Sequence, residues 1–268
     1  MSKQFIRIAN LTAFTKQGIG KDFTGLRIQF TIDKTSESSA NKSVIKVFNL
    51  NGDSRRFLEG KDMSVSLKAG YPQAIEQIFL GDIAKAISIR QSPDWLTRIE
   101  CGDGEKKLTT SHIEKSWSAG TPFQAIIQQA IAGLGLSLGP QTIAVTDSAL
   151  GGFSFSGKAK DLIDKLAKRF GFGWSVQDGA VQIVPDGETT LETAVVISPT
   201  TGLISNIIKT DKGIEFTNLL NSKLRPGRLI SVIGTNENNG FFKCRKVVMQ
   251  GDTHDGPWFS KVEAESFK

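Results

Sequence analysis

The chain has 268 residues, of which 39% are hydrophobic and 8% aromatic, and 33 Lys and Arg against 27 Asp and Glu give a formal net charge of +6. That length can bury one large core or two modest ones and requires no disulfide or metal staple. No run approaches the roughly 18 apolar residues of a membrane span, Met1-Ser2-Lys3-Gln4-Phe5 opens no signal-like run, and the cations are spread along the chain, so charge alone identifies no polyanionic partner. Synthesis in the cytoplasm without a signal peptide is the expectation.

Leu26 to Asp33 alternates apolar and polar residues without a break, the period of a strand with one buried face. Further strands are expected at Val44 to Leu50, Met63 to Ala69, Ile78 to Ile83, Ile87 to Arg90 and Trp95 to Cys101. Asn51-Gly52-Asp53, Gly70-Tyr71-Pro72 and Ser92-Pro93-Asp94 punctuate them as turns, and Asp53 to Leu58 could form one helical turn. This first β module takes residues 1–104.

Residues 105–192 read differently, as an α+β insert. Thr121-Pro122-Phe123-Gln124 has the composition of a helix start, with Thr121 as cap, Pro122 in first position and Gln124 placed for a capping box. The expected helix runs over 121–134. A second helix, 157–170, has Ala159, Leu162, Ile163, Leu166, Ala167 and Phe170 at amphipathic spacing and Gly171 as its left-handed cap. A hairpin over 173–184 then turns at Asp178-Gly179, which predicts Val176 across from Val181 and Trp174 across from Ile183.

Residues 193–268 form a second β module with strands expected at Ile204 to Lys209, Ile214 to Leu219, Leu229 to Ile233, Phe241 to Met249 and Trp258 to Ala264, and a hairpin tip at Asn236 to Gly240. The two modules read alike. Trp95-Leu96-Thr97-Arg98-Ile99-Glu100 and Trp258-Phe259-Ser260-Lys261-Val262-Glu263 share one order of residue types. Phe79 and Phe242 stand at the same distance before them, and Ile45 to Leu50 with Asn49 aligns with Ile214 to Leu219 with Asn218. An internal duplication constrains the fold more than any other motif in the chain. Phe79, Trp95, Asn49, Phe242, Trp258 and Asn218 are its expected structural anchors. Cys101 and Cys244, the only cysteines, lie in strand patterns and read as reduced, buried small hydrophobes.

Catalytic and metal-binding constellations are sparse. Asp252-Thr253-His254-Asp255 flanks one of the two histidines with carboxylates, which could bind a metal or serve acid/base chemistry. Bounding Gly251, Gly256 and Pro257 favour a turn instead, and His112 has no spaced partner. Gly133 to Gly139 follows a helix rather than preceding one, unlike a phosphate loop. Gly151 to Gly157 contains no nucleophile elbow. Lys158, Lys160, Lys165, Lys168 and Arg169 are interleaved with Asp161 and Asp164, as on an ordinary solvated helix face. The expectation is no catalytic residue, no cofactor and no metal.

One family unites these features. Phe30 to Thr35, Asn41 to Leu50, Ala69-Gly70-Tyr71, Ile78 to Ile83, Phe155 to Pro185 and Gly213 to Asn221 leading to Leu224-Arg225-Pro226-Gly227 together resemble the baseplate hub proteins of contractile-tailed bacteriophages, related to the hub domains of tailocins and type VI secretion spikes. The resemblance implies a mainly β protein in which two duplicated tail-tube-like β-barrels flank one or two small helix-and-hairpin domains. It implies a homotrimer that forms a pseudo-six-fold ring in the virion tail baseplate, between a six-fold tail tube protein and a three-fold central spike protein. Other baseplate proteins would be neighbours, and DNA would meet the ring only in transit through its channel. Two alternatives remain at this point. One is a tail-associated cell-wall-degrading enzyme using Asp252, His254 and Asp255, which peptidoglycan zymography with an H254A control decides; the other is a tube or distal tail protein of a non-contractile tail.

Overall fold

A computed structural model describes residues 6–139, 145–234 and 238–267, and in this structure each expected β module becomes a set of hydrogen-bonded strands, mostly antiparallel. The first module contains β1 (Ile8–Thr15), β2 (Gly20–Phe23), β3 (Ile28–Thr35), β4 (Asn41–Phe48), helix α1 (Gly52–Leu58), β5 (Met63–Tyr71), β6 (Ala74–Gln91) and β7 (Asp94–Asp103). Alternation is what makes them strands: Ile28, Phe30 and Ile32 of β3 are buried while Thr31 between them is exposed. The Asn51 side chain accepts the Ser54 backbone N–H at 2.8 Å and caps α1. β1 and β2 were not anticipated.

The sequence suggests two strands over Ile78 to Arg90, but β6 is a single strand of 18 residues. Its pairing with β7 shifts register between Ile83 and Lys85, so Ala84 is an extra residue that lets one continuous strand change the phase of its apolar pattern.

The insert contains α2 (Glu105–Thr110), β8 (His112–Trp117), β9 (Thr121–Pro122), α3 (Phe123–Gly133), β10 (Ser137–Leu138), β11 (Ser148–Ala149), β12 (Phe153–Lys158), α4 (Ala159–Phe170), β13 (Phe172–Gln177) and β14 (Ala180–Pro185). α3 starts two residues later than expected and without the capping box. Thr121 donates its hydroxyl to the Ser118 carbonyl, and the Gln124 side chain accepts the Val145 N–H at 3.2 Å, because β9 pairs Thr121 and Pro122 with β11. The β13–β14 hairpin has the expected register, Val176 opposite Val181 and Trp174 opposite Ile183. Asp178 (φ 53°) and Gly179 (φ 82°) form its turn, and Gly171 (φ 67°) caps α4.

The second module contains β15 (Val195–Ile197), β16 (Ile208–Thr210), β17 (Gly213–Leu219), β18 (Leu229–Val232), β19 (Gly240–Asp252) and β20 (Trp258–Ser266). The expected hairpin tip at Asn236 to Gly240 lies partly outside the described residues. In the first module the strands lie in the order β3-β4-β7-β6-β5-β1, and in the second β16-β17-β20-β19-β18-β15. The order of chain segments is the same, although the last pair is antiparallel in the first module and parallel in the second.

β19 also pairs with β3, which joins the modules into one 13-stranded sheet. Neither of the two tail-tube-like barrels that the resemblance implies closes into a ring by strand pairing among the described residues, and the edge of β3 is taken by β19 of the other module. Two buried hydrophobic clusters result. One runs through both β modules, and the other lies within the insert, around Phe123, Ile126, Leu162, Leu166 and Trp174. No helix among the described residues is long and apolar enough to cross a membrane.

Candidate functional site

The two β modules meet at the seam where β19 pairs with β3, from Lys246 opposite Thr35 to Asp252 opposite Gln29. Its upper end holds a second bulge. The β19–β20 register shifts between Cys244 and Lys246, leaving Arg245 as the extra residue. In each module the residue after the bulge is a lysine opposite a glutamate, Lys85 with Glu100 and Lys246 with Glu263. Ala84 and Arg245 are therefore equivalent. In the second module the Arg245 carbonyl accepts the Ser36 N–H at 2.9 Å, and Lys246 lies 3.4 Å from Asp33, so the bulge region feeds the seam.

The lower end of the seam is closed by the segment with the flanked histidine. Asp252 accepts Nε and Nη2 of Arg27 at 3.2 and 2.7 Å, Nε2 of Gln29 at 2.8 Å and the His254 backbone N–H at 3.0 Å. Its side chain is 5% exposed. Burial alone would raise its pKa, but the Arg27 pair, the His254 N–H and the Gln29 amide outweigh that and hold it at about 2. Thr253 exchanges two hydrogen bonds with Ile28, donating its backbone N–H to the Ile28 carbonyl and accepting the Ile28 N–H on its hydroxyl. The Asp255 carboxylate accepts the Gly256 N–H at 2.7 Å, and His254 Nδ1 lies 3.3 Å from the Thr253 hydroxyl. These groups are engaged separately. Asp252 holds β3, whereas His254 and Asp255 lie on an exposed turn, and among the described residues no group of three His, Cys, Asp or Glu side chains is placed to hold a metal ion.

A second node fastens the insert to both modules. Lys34 of β3 is 1% exposed, and its ammonium donates to both Asp178 oxygens at 2.8 and 2.7 Å. Asp178 also accepts the Leu80 N–H at 3.0 Å and lies 3.8 Å from Arg225 Nη1. Burial lowers the Lys34 pKa, with Asp178 opposing the shift. Beside them Asp103 accepts the Gly179 N–H at 3.0 Å, while its other oxygen has no hydrogen-bond partner, and burial together with the Asp178 charge pushes its pKa up to about 6. Asn41 donates to the Val176 carbonyl and Gln177 to the Thr35 carbonyl, which completes the joint. Sequence reading treated Asp178 only as a turn former. What could have drawn attention to it is an alternating strand whose inward position is a lysine.

The six expected anchors fall in unequal places. Trp258 is buried, edge-on to Phe30 across the seam with ring centroids 5.5 Å apart, and the missing side chain of Gly251 leaves room for both rings. Trp95, at the same place in its own strand, is half-buried under the Arg55 guanidinium, 3.7 Å from the ring centroid. The asparagines are not equivalent. Phe48 faces Leu96 and Leu219 faces Phe259, which equates Asn218 with Val47, two residues from Asn49. A two-residue slip keeps every side chain on its face, so the sequence pattern hides it. Asn49 (φ 57°) is exposed and accepts the Trp95 N–H, whereas Asn218 is buried.

Phe79 and Phe242 are offset in the same way. By the pairing of β6 with β7 and of β19 with β20, Phe242 corresponds to Gly81 and Phe79 to Gly240. In both modules the ring reaches over the glycine two residues away, so one aromatic fills the same spot from opposite ends. Cys101 and Cys244 occupy opposite members of one recurring pair, Cys101 facing Ile83 and Cys244 facing Ala264. Both are free and buried, and burial pushes both thiols up to about 12.

Comparisons with known proteins agree with this architecture. A 43 kDa tail protein of prophage MuSo2 from Shewanella oneidensis superimposes with a TM-score of 0.68 at 11% identity, covering 97% of this chain and 98% of that one. A tail protein from Neisseria meningitidis gives 0.64 at 11% identity over 96% of each chain. An Escherichia coli component of the type VI secretion system, described as structurally similar to the T4 bacteriophage tail proteins gp27 and gp5, gives 0.62 at 12% identity over 90% of this chain and 74% of that one. No curated protein matches in sequence. The family model described as baseplate hub gp41 matches residues 12–263, nearly the whole chain. The chain belongs to the baseplate hub gp41 family of phage tail structural proteins.

Proposed function

We propose that the protein is a structural subunit without an active site that assembles as a homotrimer in the tail baseplate. Each chain supplies two barrel-like modules, and three chains form a pseudo-six-fold ring with a central channel for DNA. One face of the ring docks on a six-fold tail tube, and the other presents true three-fold symmetry to a central spike, with other baseplate proteins around it. One observation carries the reading: the two modules share strand order and a bulge followed by the same Lys–Glu pair, and they are joined edge to edge by backbone hydrogen bonds. A contact between related modules that is not two-fold leaves one edge of each kind free, and such heterologous contacts can close into a ring. Asp252 supports the structural reading, since its carboxylate is committed to Arg27, Gln29 and the turn backbone. Imaging intact particles tests the proposal: three copies between tube and spike are expected, and density for this chain elsewhere in the tail overturns it.

A further inference from the structure

The seam inside the chain has a counterpart that is unfilled. The part of β19 that pairs with β3 begins after the bulge at Arg245, and its equivalent in the first module is the end of β6 after Ala84. Lys85 to Gln91 pairs with β7 on one side only. Ile87 is 40% exposed and Ile89 is 44% exposed, both unusually open for isoleucines in a strand. In the second module the strand equivalent to β3 is β16, which among the described residues pairs only with β17. Ile208 there is 61% exposed. The Asn238 amide reaches the Ile207 carbonyl at 3.4 Å, so the free edge begins at Ile208.

We infer that β6 from Ile87 to Gln91 pairs antiparallel with β16 of a second copy of this chain, repeating between chains the β19–β3 seam found within one. This rests on the trimeric reading above and supplies its contact. The register follows from the intrachain pairs. Gln250 faces Thr31 and Met249 faces Ile32; carried across the duplication, these place Ile89 opposite Ile208 and Ser88 opposite Lys209 of the second copy. Two exposed isoleucines on facing edges then become a cross-strand pair. The same transfer sets Ile207 of the second copy opposite Arg90, in the place that Phe30 takes opposite Gly251, with Trp95 in the next strand where Trp258 stands. Unpaired edges with exposed apolar side chains are what a neighbouring strand covers.

Cysteine cross-linking tests the seam, because side chains directly opposite in an antiparallel pair lie within roughly 4.5–5.5 Å of each other at Cβ. Ile89→Cys and Ile208→Cys chains are oxidised separately, as a mixture and as one double variant, with native mass measured in parallel. Both native cysteines are buried and give little background. The mixture is expected to yield a covalent dimer and the double variant a ladder ending at three chains, with no product from either single variant alone. Lys85→Cys with Ile208→Cys, about 13 Å out of register at roughly 3.3 Å per residue, should not link. A trimer by mass in which Ile89 and Ile208 do not link overturns the seam and leaves the hub reading standing. Equal linking from Lys85 overturns the register. A monomer at every concentration, with tube and spike proteins present, overturns both the hub reading and the seam.

Discussion

Lys34 is 1% exposed, and the Asp178 carboxylate accepts two of its hydrogen bonds. A buried ammonium is tolerated only with such a partner. Asp178→Asn keeps a residue that accepts positive φ at the hairpin turn while removing the charge, so it isolates the ionic contribution. Urea denaturation should show a loss of about 2–4 kcal/mol. An unchanged midpoint would mean that the Asp103 carboxylate takes over Lys34. Asp103 behaves in the opposite sense. Its folded pKa of about 6 lies above the ordinary 3.8 because of burial and the neighbouring Asp178 charge. Its contribution to stability is therefore fully present below pH ~4 and lost as the pH rises through ~6. Asp103→Asn should raise Tm relative to the parent near pH ~8, by the equivalent of about 1–2 kcal/mol, and change little near pH ~4. Melting curves at the two pH values check this, and a gain of the same size at both would remove titration as its cause.

The elements repeat a plan that the sequence shows only in part. Alternating runs such as Leu26 to Asp33 marked strands correctly because one face of each is buried, and the Asp178-Gly179 turn fixed the β13–β14 register because that turn leaves a two-residue loop. Three features were hidden. The bulge at Ala84 made one strand read as two, the Thr121 capping box lost to pairing between β9 and β11, and the slip between Asn49 and Asn218 preserves faces and so leaves no trace in an apolar pattern. Gly251 shows the constraint at the seam most directly. A Cβ there would lie 2.2 Å from Phe30 Cζ and 2.9 Å from Trp258 Cε3, both on rings held in the core. Gly251→Ala should cost about 1–3 kcal/mol by overpacking, with partial recovery on adding Phe30→Leu. Chemical denaturation of the single and double variants measures it, and additive losses would show that the two positions do not compete for the same space.

At the scale of the whole molecule, the likeness of the two modules was legible because the Trp95 and Trp258 strands share one order of residue types, and the family resemblance followed from the order of elements around them. The joining of the modules was not legible. Nothing in the composition of β19 distinguishes a strand with two neighbours from one with a free edge, since backbone pairing has no residue code and the apolar pattern reports only faces. The node around Asp178 escaped for a related reason: its partners Lys34, Leu80, Asp103 and Arg225 are scattered through the chain and meet only after the insert has folded back on both modules. Two related modules in edge contact through β19 and β3, with one edge of each kind left over, form a unit suited to closing on copies of itself. Native mass spectrometry of the purified chain, alone and with its tube and spike proteins, tests that claim most directly. A species of three chains is expected, and a single chain under every condition would contradict the account.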